Sequence, residues 1–181
     1  MRIATLGPAA SNHALVAGRY LQAHAPDTGD IVLMSDFEKA FEALLAGEVD
    51  HVLQCTAHPQ HSECVGRYMH RLFPVDAFIA GSKPLAILAR AEVNEPRTLG
   101  LQPATRHYTD LSGYAELTEK PTIVSVADSL LAGEFEAGIC AQETLDAYPD
   151  ALRLVKVLGP ALDTWVVFGR TPLPVTAPNV Y

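Results

Sequence analysis

The chain is poor in cysteine, with three in 181 residues, and poor in positive charge, with 13 Lys and Arg against 21 Asp and Glu. Three cysteines form an odd set without framework spacing, which excludes a secreted disulfide scaffold. The net charge of −8 argues against nucleic acid and membrane partners, since polyanions and anionic lipid select a basic face. No apolar run reaches the ~18 residues of a membrane helix. A strand pattern begins within two residues of Met1, so no leader peptide is expected. There is no phosphate loop and no Gly-x-Gly-x-x-Gly run, so no nucleotide or other cofactor is implied. A reduced, cytoplasmic protein is the expectation.

What remains is an ordinary globular composition, 49% hydrophobic and 19% charged. Arg2 to Leu6 reads as a strand ended by Gly7-Pro8. Ser11 or Asn12 caps a helix to about His24. Ile31 to Met34 is a strand, and a helix capped at Ser35 or Asp36 stops at Gly47. Val49 to Cys55 is the third strand. Strands then follow at Ala77 to Ala80, Pro84 to Arg90 and Thr98 to Leu101. Pro103 begins a helix holding Tyr108, Leu111 and Tyr114, and Thr122 to Val124 is a strand. Val126 to Leu131 is helical, Ala137 to Cys140 extended, Gln142 to Tyr148 helical. Leu152 to Leu158 and Thr164 to Phe168 close the set as strands, before a proline-rich tail from Pro172 to Pro178. Alternation of strand and helix predicts an α/β fold with parallel pairing. One internal echo stands out. Leu44-Leu45-Ala46-Gly47-Glu48-Val49-Asp50 recurs as Leu130-Leu131-Ala132-Gly133-Glu134-Phe135-Glu136, as expected of two lobes built from matching units, with a ligand cleft at the carboxyl ends of their strands.

Several stretches carry candidate chemistry. The helix starts at Ser11-Asn12, Ala104-Thr105 and Ser125-Val126 offer free N–H groups to a small carboxylate, and Arg106 is the cation nearest one of them. In the loop expected from Cys55 to Cys64, two Cys and two His fall at steps of three. On a helix these would spread over half the circumference, so no metal site is expected. His58 or His61 suits acid–base work near neutral pH, and Cys55, ending a strand between Gln54 and Thr56, suits a proton donor or nucleophile. His13 lies in the first turn of its helix, where the dipole favours a neutral imidazole. Trp165 walls a ring-sized ligand or fills the core. Asp163 is a cleft acid or a turn residue after Gly159-Pro160, and the turn is the preferred reading.

Three segments resemble the prephenate dehydratase domain, which has the type II periplasmic-binding-protein fold. Leu6-Gly7-Pro8-Ala9-Ala10-Ser11 resembles its Leu-Gly-Pro-Glu-Gly-Thr opening. Phe41 to Leu44 and Gly47 to Leu53 resemble the helix and strand leading to its Pro-Ile-Glu-Asn-Ser loop. Asp163-Thr164-Trp165-Val166-Val167-Phe168-Gly169 resembles its closing Thr-Arg-Phe strand. The resemblance implies a two-lobed α/β protein, with residues 1–80 and 160–181 in one lobe and 81–159 in the other. It also implies a small carboxylate ligand, a homo-oligomer and a cofactor-free lyase. The family's catalytic Thr and Arg become Asp163 and Thr164, so decarboxylation is favoured over dehydration, and Thr164-Trp165 resembles the Ser-Trp of bacilysin-type prephenate decarboxylases. Cys55, His58 and His13 are the expected catalytic groups. Ser11, Asn12, Gln54 and Thr56 are expected to bind substrate, as are Gln102, Thr105 and Arg106 (the position of the family's Ser-His-Pro loop), with Thr164 and Trp165. An isomerase or tautomerase of an unsaturated oxo-diacid would use the same parts, and a carboxylate-binding module without catalysis is the reading from another class.

Overall fold

The computed structural model describes residues 1–174, so the part of the proline-rich tail from Val175 onward lies outside the described residues. The chain divides into two compact units. Met1–Ala80 together with Asp163 onward forms the first, and Gly81–Leu162 the second.

The first unit is a five-stranded mixed sheet in the order β2-β1-β3-β10-β4. β1 (Arg2–Leu6) lies parallel to both β2 (Asp30–Met34) and β3 (His51–Cys55), and β10 (Leu162–Gly169) runs antiparallel to β3. β4 (Phe73–Gly81) forms one edge. α1 (Asn12–His24) begins where the Ser11 hydroxyl accepts from the Ala14 N–H. It buries Val16, Ala17 and Leu21 against Ile3, Leu53 and Val167. α2 (Phe37–Ala46) is capped by Asp36 and ends at Gly47, whose φ of 77° is the left-handed value that favours glycine. It packs on the other face, with Phe41 and Leu44 against Ala4, Val52 and Phe168.

The second unit repeats this plan in the order β7-β6-β8-β5-β9. β6 (Thr98–Leu101) lies parallel to β7 (Glu116–Glu119) and β8 (Ala137–Ala141), while β5 (Leu85–Arg90) runs antiparallel to β8 and to β9 (Leu152–Gly159). α4 (Ile123–Leu131) takes the place of α2. The sequence echo is a structural one. Gly133 has a φ of 80°. The Asp50 carboxylate accepts from the Arg2 N–H, and the Glu136 carboxylate likewise accepts from the Arg97 N–H. In both units the acidic residue after the turn ties the incoming strand, β3 or β8, to the start of its parallel neighbour, β1 or β6.

Three expectations need correction. No helix follows Pro103 beyond a single 3-10 turn, Pro103–Thr105. The Asp110 carboxylate accepts from the Ser112 N–H, a turn bond that competes with helix, and Gly113 follows. Thr122 to Val124 is not a strand, because Thr122 and Ser125 form a reciprocal capping box that opens α4. The second half of the Cys55 to Cys64 stretch is not loop, since α3 (His61–Tyr68) begins there and buries Cys64 and Tyr68. α5 (Glu143–Ala147) is one short turn of helix. Among the described residues no helix is long and apolar enough to cross a membrane.

Candidate functional site

The parallel strands of the first unit end together at Leu6, Met34 and Cys55, and the candidate side chains gather at that end. Cys55 sits opposite Trp165 in the β3–β10 register. Strand alternation puts both on the α1 face, with Leu53 and Val167 below them. His13, the second residue of α1, meets Trp165 edge to face with ring centroids 5.1 Å apart. It also meets Phe37 at 5.4 Å and His58 at 5.7 Å, and Phe37 lies 4.9 Å from His58. The structure therefore brings together His13, Cys55, His58 and Trp165 from three separate chain segments, with Cys55 and His58 joined by one turn. Phe37, the first residue of α2 and fully buried, completes the cluster. The sequence shows it only as one apolar residue of a helix.

Two nitrogens in this cluster, His13 Nε2 and Trp165 Nε1, are buried without a hydrogen-bond partner among the described residues. Burial is the main reason the His13 pKa falls to about 3, with the neighbouring His58 adding to it. The His58 pKa is lowered to about 4, again mainly by burial and then by His61. His58 Nδ1 accepts from the Gln60 N–H at 3.2 Å, which leaves the proton of the neutral ring on Nε2. Both imidazoles are uncharged at neutral pH. Burial likewise pushes the Cys55 thiol up to about 11. The Ala57 N–H opposes this, the Asp163 charge adds to it, and the His58 N–H opposes it. Cys55 is accordingly a thiol, not a thiolate, at neutral pH. None of the clustered residues is a lysine or arginine.

The other expected residues have different places. Ser11 is buried, and its hydroxyl is used on both sides, donating to the Leu6 carbonyl and accepting from the Ala14 N–H, each at 3.1 Å. Asn12 is the first residue of α1. The Thr56 N–H and hydroxyl both donate to the Thr164 carbonyl, at 2.9 and 3.1 Å, fixing the ends of β3 and β10 together, while Thr164 itself is exposed. Gln54 pairs with Val166 and so faces α2 and α3, where its Oε1 lies 2.9 Å from His61 Nδ1. Gln54 and His61 thus stand on the opposite sheet face from Cys55. Gln102, Thr105 and Arg106 belong to the second unit, and each is engaged locally. Gln102 Oε1 accepts from the Ala104 N–H, the Thr105 hydroxyl donates to the Gln102 carbonyl, and Arg106 pairs with Glu119 at 2.7 Å. Among the described residues no group of three or more His, Cys, Asp or Glu is placed to hold a metal ion. Asp163 is not a turn residue. It lies inside β10, two residues before Trp165, half-buried, and burial raises its pKa.

No protein-family model matches the sequence, and no curated protein sequence matches it. Solved structures do match. A prephenate dehydratase from Arthrobacter aurescens, in complex with L-Phe, is 16% identical with a TM-score of 0.70 over 98% of this chain. This chain covers 62% of the length of that dehydratase. The periplasmic VFT2 domain of Bordetella pertussis BvgS is 14% identical, with a TM-score of 0.58 over 93% of this chain and 80% of that one. Arginine-bound ArgBP from T. maritima, a Gly52Ala mutant, is 14% identical, with a TM-score of 0.51 over 94% of this chain and 87% of that one. At such identities the likeness speaks for fold alone. The chain has a two-unit α/β fold of the type II periplasmic-binding-protein kind.

Proposed function

We propose that this chain is a cofactor-free lyase acting on prephenate or a similar small unsaturated carboxylate, by decarboxylation in preference to dehydration. The observation that carries the reading is the Cys55 thiol, held protonated at a strand end beside a cluster of four rings. Decarboxylation converts a hydrated anion into neutral CO₂, so apolar walls that weaken carboxylate solvation favour it. The electron pair left on the carbon framework then takes a proton, and a thiol within reach supplies one. Dehydration asks for a cation to hold the substrate carboxylate, and the cluster has none. The solved structures with this fold include proteins bound to L-Phe and to arginine, which supports a small ligand. A free thiol in this role supports a reducing, cytoplasmic setting.

The test is incubation of the whole protein with prephenate, followed by ultraviolet spectra and mass spectrometry of the products. Loss of CO₂ without aromatisation is the expected result. Cys55→Ala is expected to lower kcat by roughly 10²- to 10⁴-fold, the usual worth of a positioned proton donor. Formation of phenylpyruvate would mean dehydration and overturn the preference. Saturable stabilisation by prephenate without turnover would make the chain a binding module.

A further inference from the structure

Asp163 stands out among the carboxylates of the first unit. It is half-buried, and among the described residues its carboxyl forms no hydrogen bond or ion pair. Its strand position fixes its direction. Trp165 is opposite Cys55, and Asp163, two residues earlier on the same strand, points to the same sheet face. The two hydrogen bonds from Thr56 to the Thr164 carbonyl hold this end of β10 against the end of β3. An unpaired carboxyl is thereby kept on the thiol side of the sheet.

Resting on the lyase reading above, we propose that Asp163 and Cys55 form an acid pair, in which Cys55 gives its proton to the substrate carbon and Asp163 returns a proton to the sulfur. The steps balance. The bond between the substrate carbon and its carboxylate breaks, CO₂ leaves, and the electron pair stays on the carbon framework. The S–H bond breaks and a C–H bond forms. The Asp163 carboxylate takes a proton from solvent and passes it to the thiolate, which restores both the thiol and the carboxylate. Like charge keeps thiolate and carboxylate from persisting side by side, so the pair resets towards the thiol. The same repulsion makes Cys55 a proton donor in preference to a nucleophile. The other groups facing the thiol are the Ala57 and His58 N–H groups of its own turn. His13 of α1 and His58 stand beyond them around Trp165 and Phe37, and both are neutral at neutral pH.

The pair is tested on the whole protein by the pH dependence of Cys55 alkylation, read peptide by peptide by mass spectrometry, in wild type, Asp163→Asn and Asp163→Glu. Asp163→Asn is expected to move the Cys55 reactivity curve down by about half a pH unit or more, since a like charge is removed. Asp163→Glu is expected to keep the wild-type curve. Cys140, in the other unit, serves as the internal control. An unchanged curve in Asp163→Asn, or the same shift in both variants, would overturn the pair. With prephenate turned over by wild type, Asp163→Asn is further expected to lower kcat by about 10-fold or more at nearly constant KM, and unchanged kcat would overturn the relay. A wild-type protein that leaves prephenate intact would sink the lyase reading, while the alkylation curves would still decide the pair.

Discussion

Lowering the pH from 7.5 to 4.5 is expected to destabilise this protein steeply, with His13 and His58 the main causes. The His13 pKa lies near 3 in the folded protein, against about 6.5 in an unfolded chain. Below pH 6.5 the unfolded state therefore binds a proton that the folded state refuses, and stability falls as pH falls from 6.5 towards 3. At pH 4.5 the loss from His13 is about 2–3 kcal/mol. His58, His51 and His61 are shifted in the same direction, mainly by burial, and add to the loss. Asp36 and Asp50, both held low chiefly by backbone N–H bonds, keep their contribution until the pH falls below the ordinary carboxylate range. The raised Asp163 acts in the opposite sense. The interval between pH 7.5 and 4.5 is thus mainly a histidine interval. Urea unfolding at the two ends should show the difference, and His13→Leu should remove about 2 kcal/mol or more of it. A variant that keeps the wild-type pH dependence would show that His13 does not carry it.

The framework that places His13 was legible in the sequence. Ser11 as cap, Gly47 as stop and the alternation of strand and helix follow from local chemistry, and each has its structural counterpart. Legibility failed where two local preferences competed. Thr122-Ile123-Val124 is β-branched and reads as strand, yet the Thr122 side chain and Ser125 close a capping box and start a helix. The Cys55 to Cys64 stretch reads as loop through its Pro59 and polar residues, and only burial of Cys64 and Tyr68 against α2 and Phe168 reveals α3. Of the site, His13, Cys55, His58 and Trp165 are visible as residue types with chemistry at helix starts and strand ends. Their meeting depends on the β3–β10 register, which pairs residues 110 positions apart and leaves no trace in local pattern. The same register separates Gln54 from Cys55 and brings in Asp163, which looks like a turn residue after Gly159-Pro160 because nothing local shows that β10 starts at Leu162.

The internal echo carries a prediction about packing. Both units place the third residue of one parallel strand, β1 or β6, beside the strand that follows the Gly turn, β3 or β8. Ala4 pairs with Val52 in one unit and Gly100 with Gly138 in the other. The residue two after the turn glycine is Val49 in the first unit and Phe135 in the second, and both are buried. A Cβ built on Gly100 would lie 2.1 Å from Phe135 Cζ, with two more ring atoms within 2.5 Å. The phenyl ring thus fills the volume that the first unit divides among Ala4, Val49 and Val52. The ring is closely packed, so it cannot withdraw without displacing α4 neighbours such as Val126 and Leu130. Gly100→Ala is therefore expected to cost about 3 kcal/mol, the upper end of ordinary overpacking. Phe135→Val, which leaves a cavity above the two glycines, is expected to cost about 2–4 kcal/mol. The double variant recreates the Ala and Val of the first unit. Its cost is expected to fall short of the sum of the single costs by about 1–3 kcal/mol, as for side chains that compete for one volume. Urea unfolding of the four proteins closes the cycle. Costs that add to within about 0.5 kcal/mol would mean that the ring does not set the need for glycine at position 100.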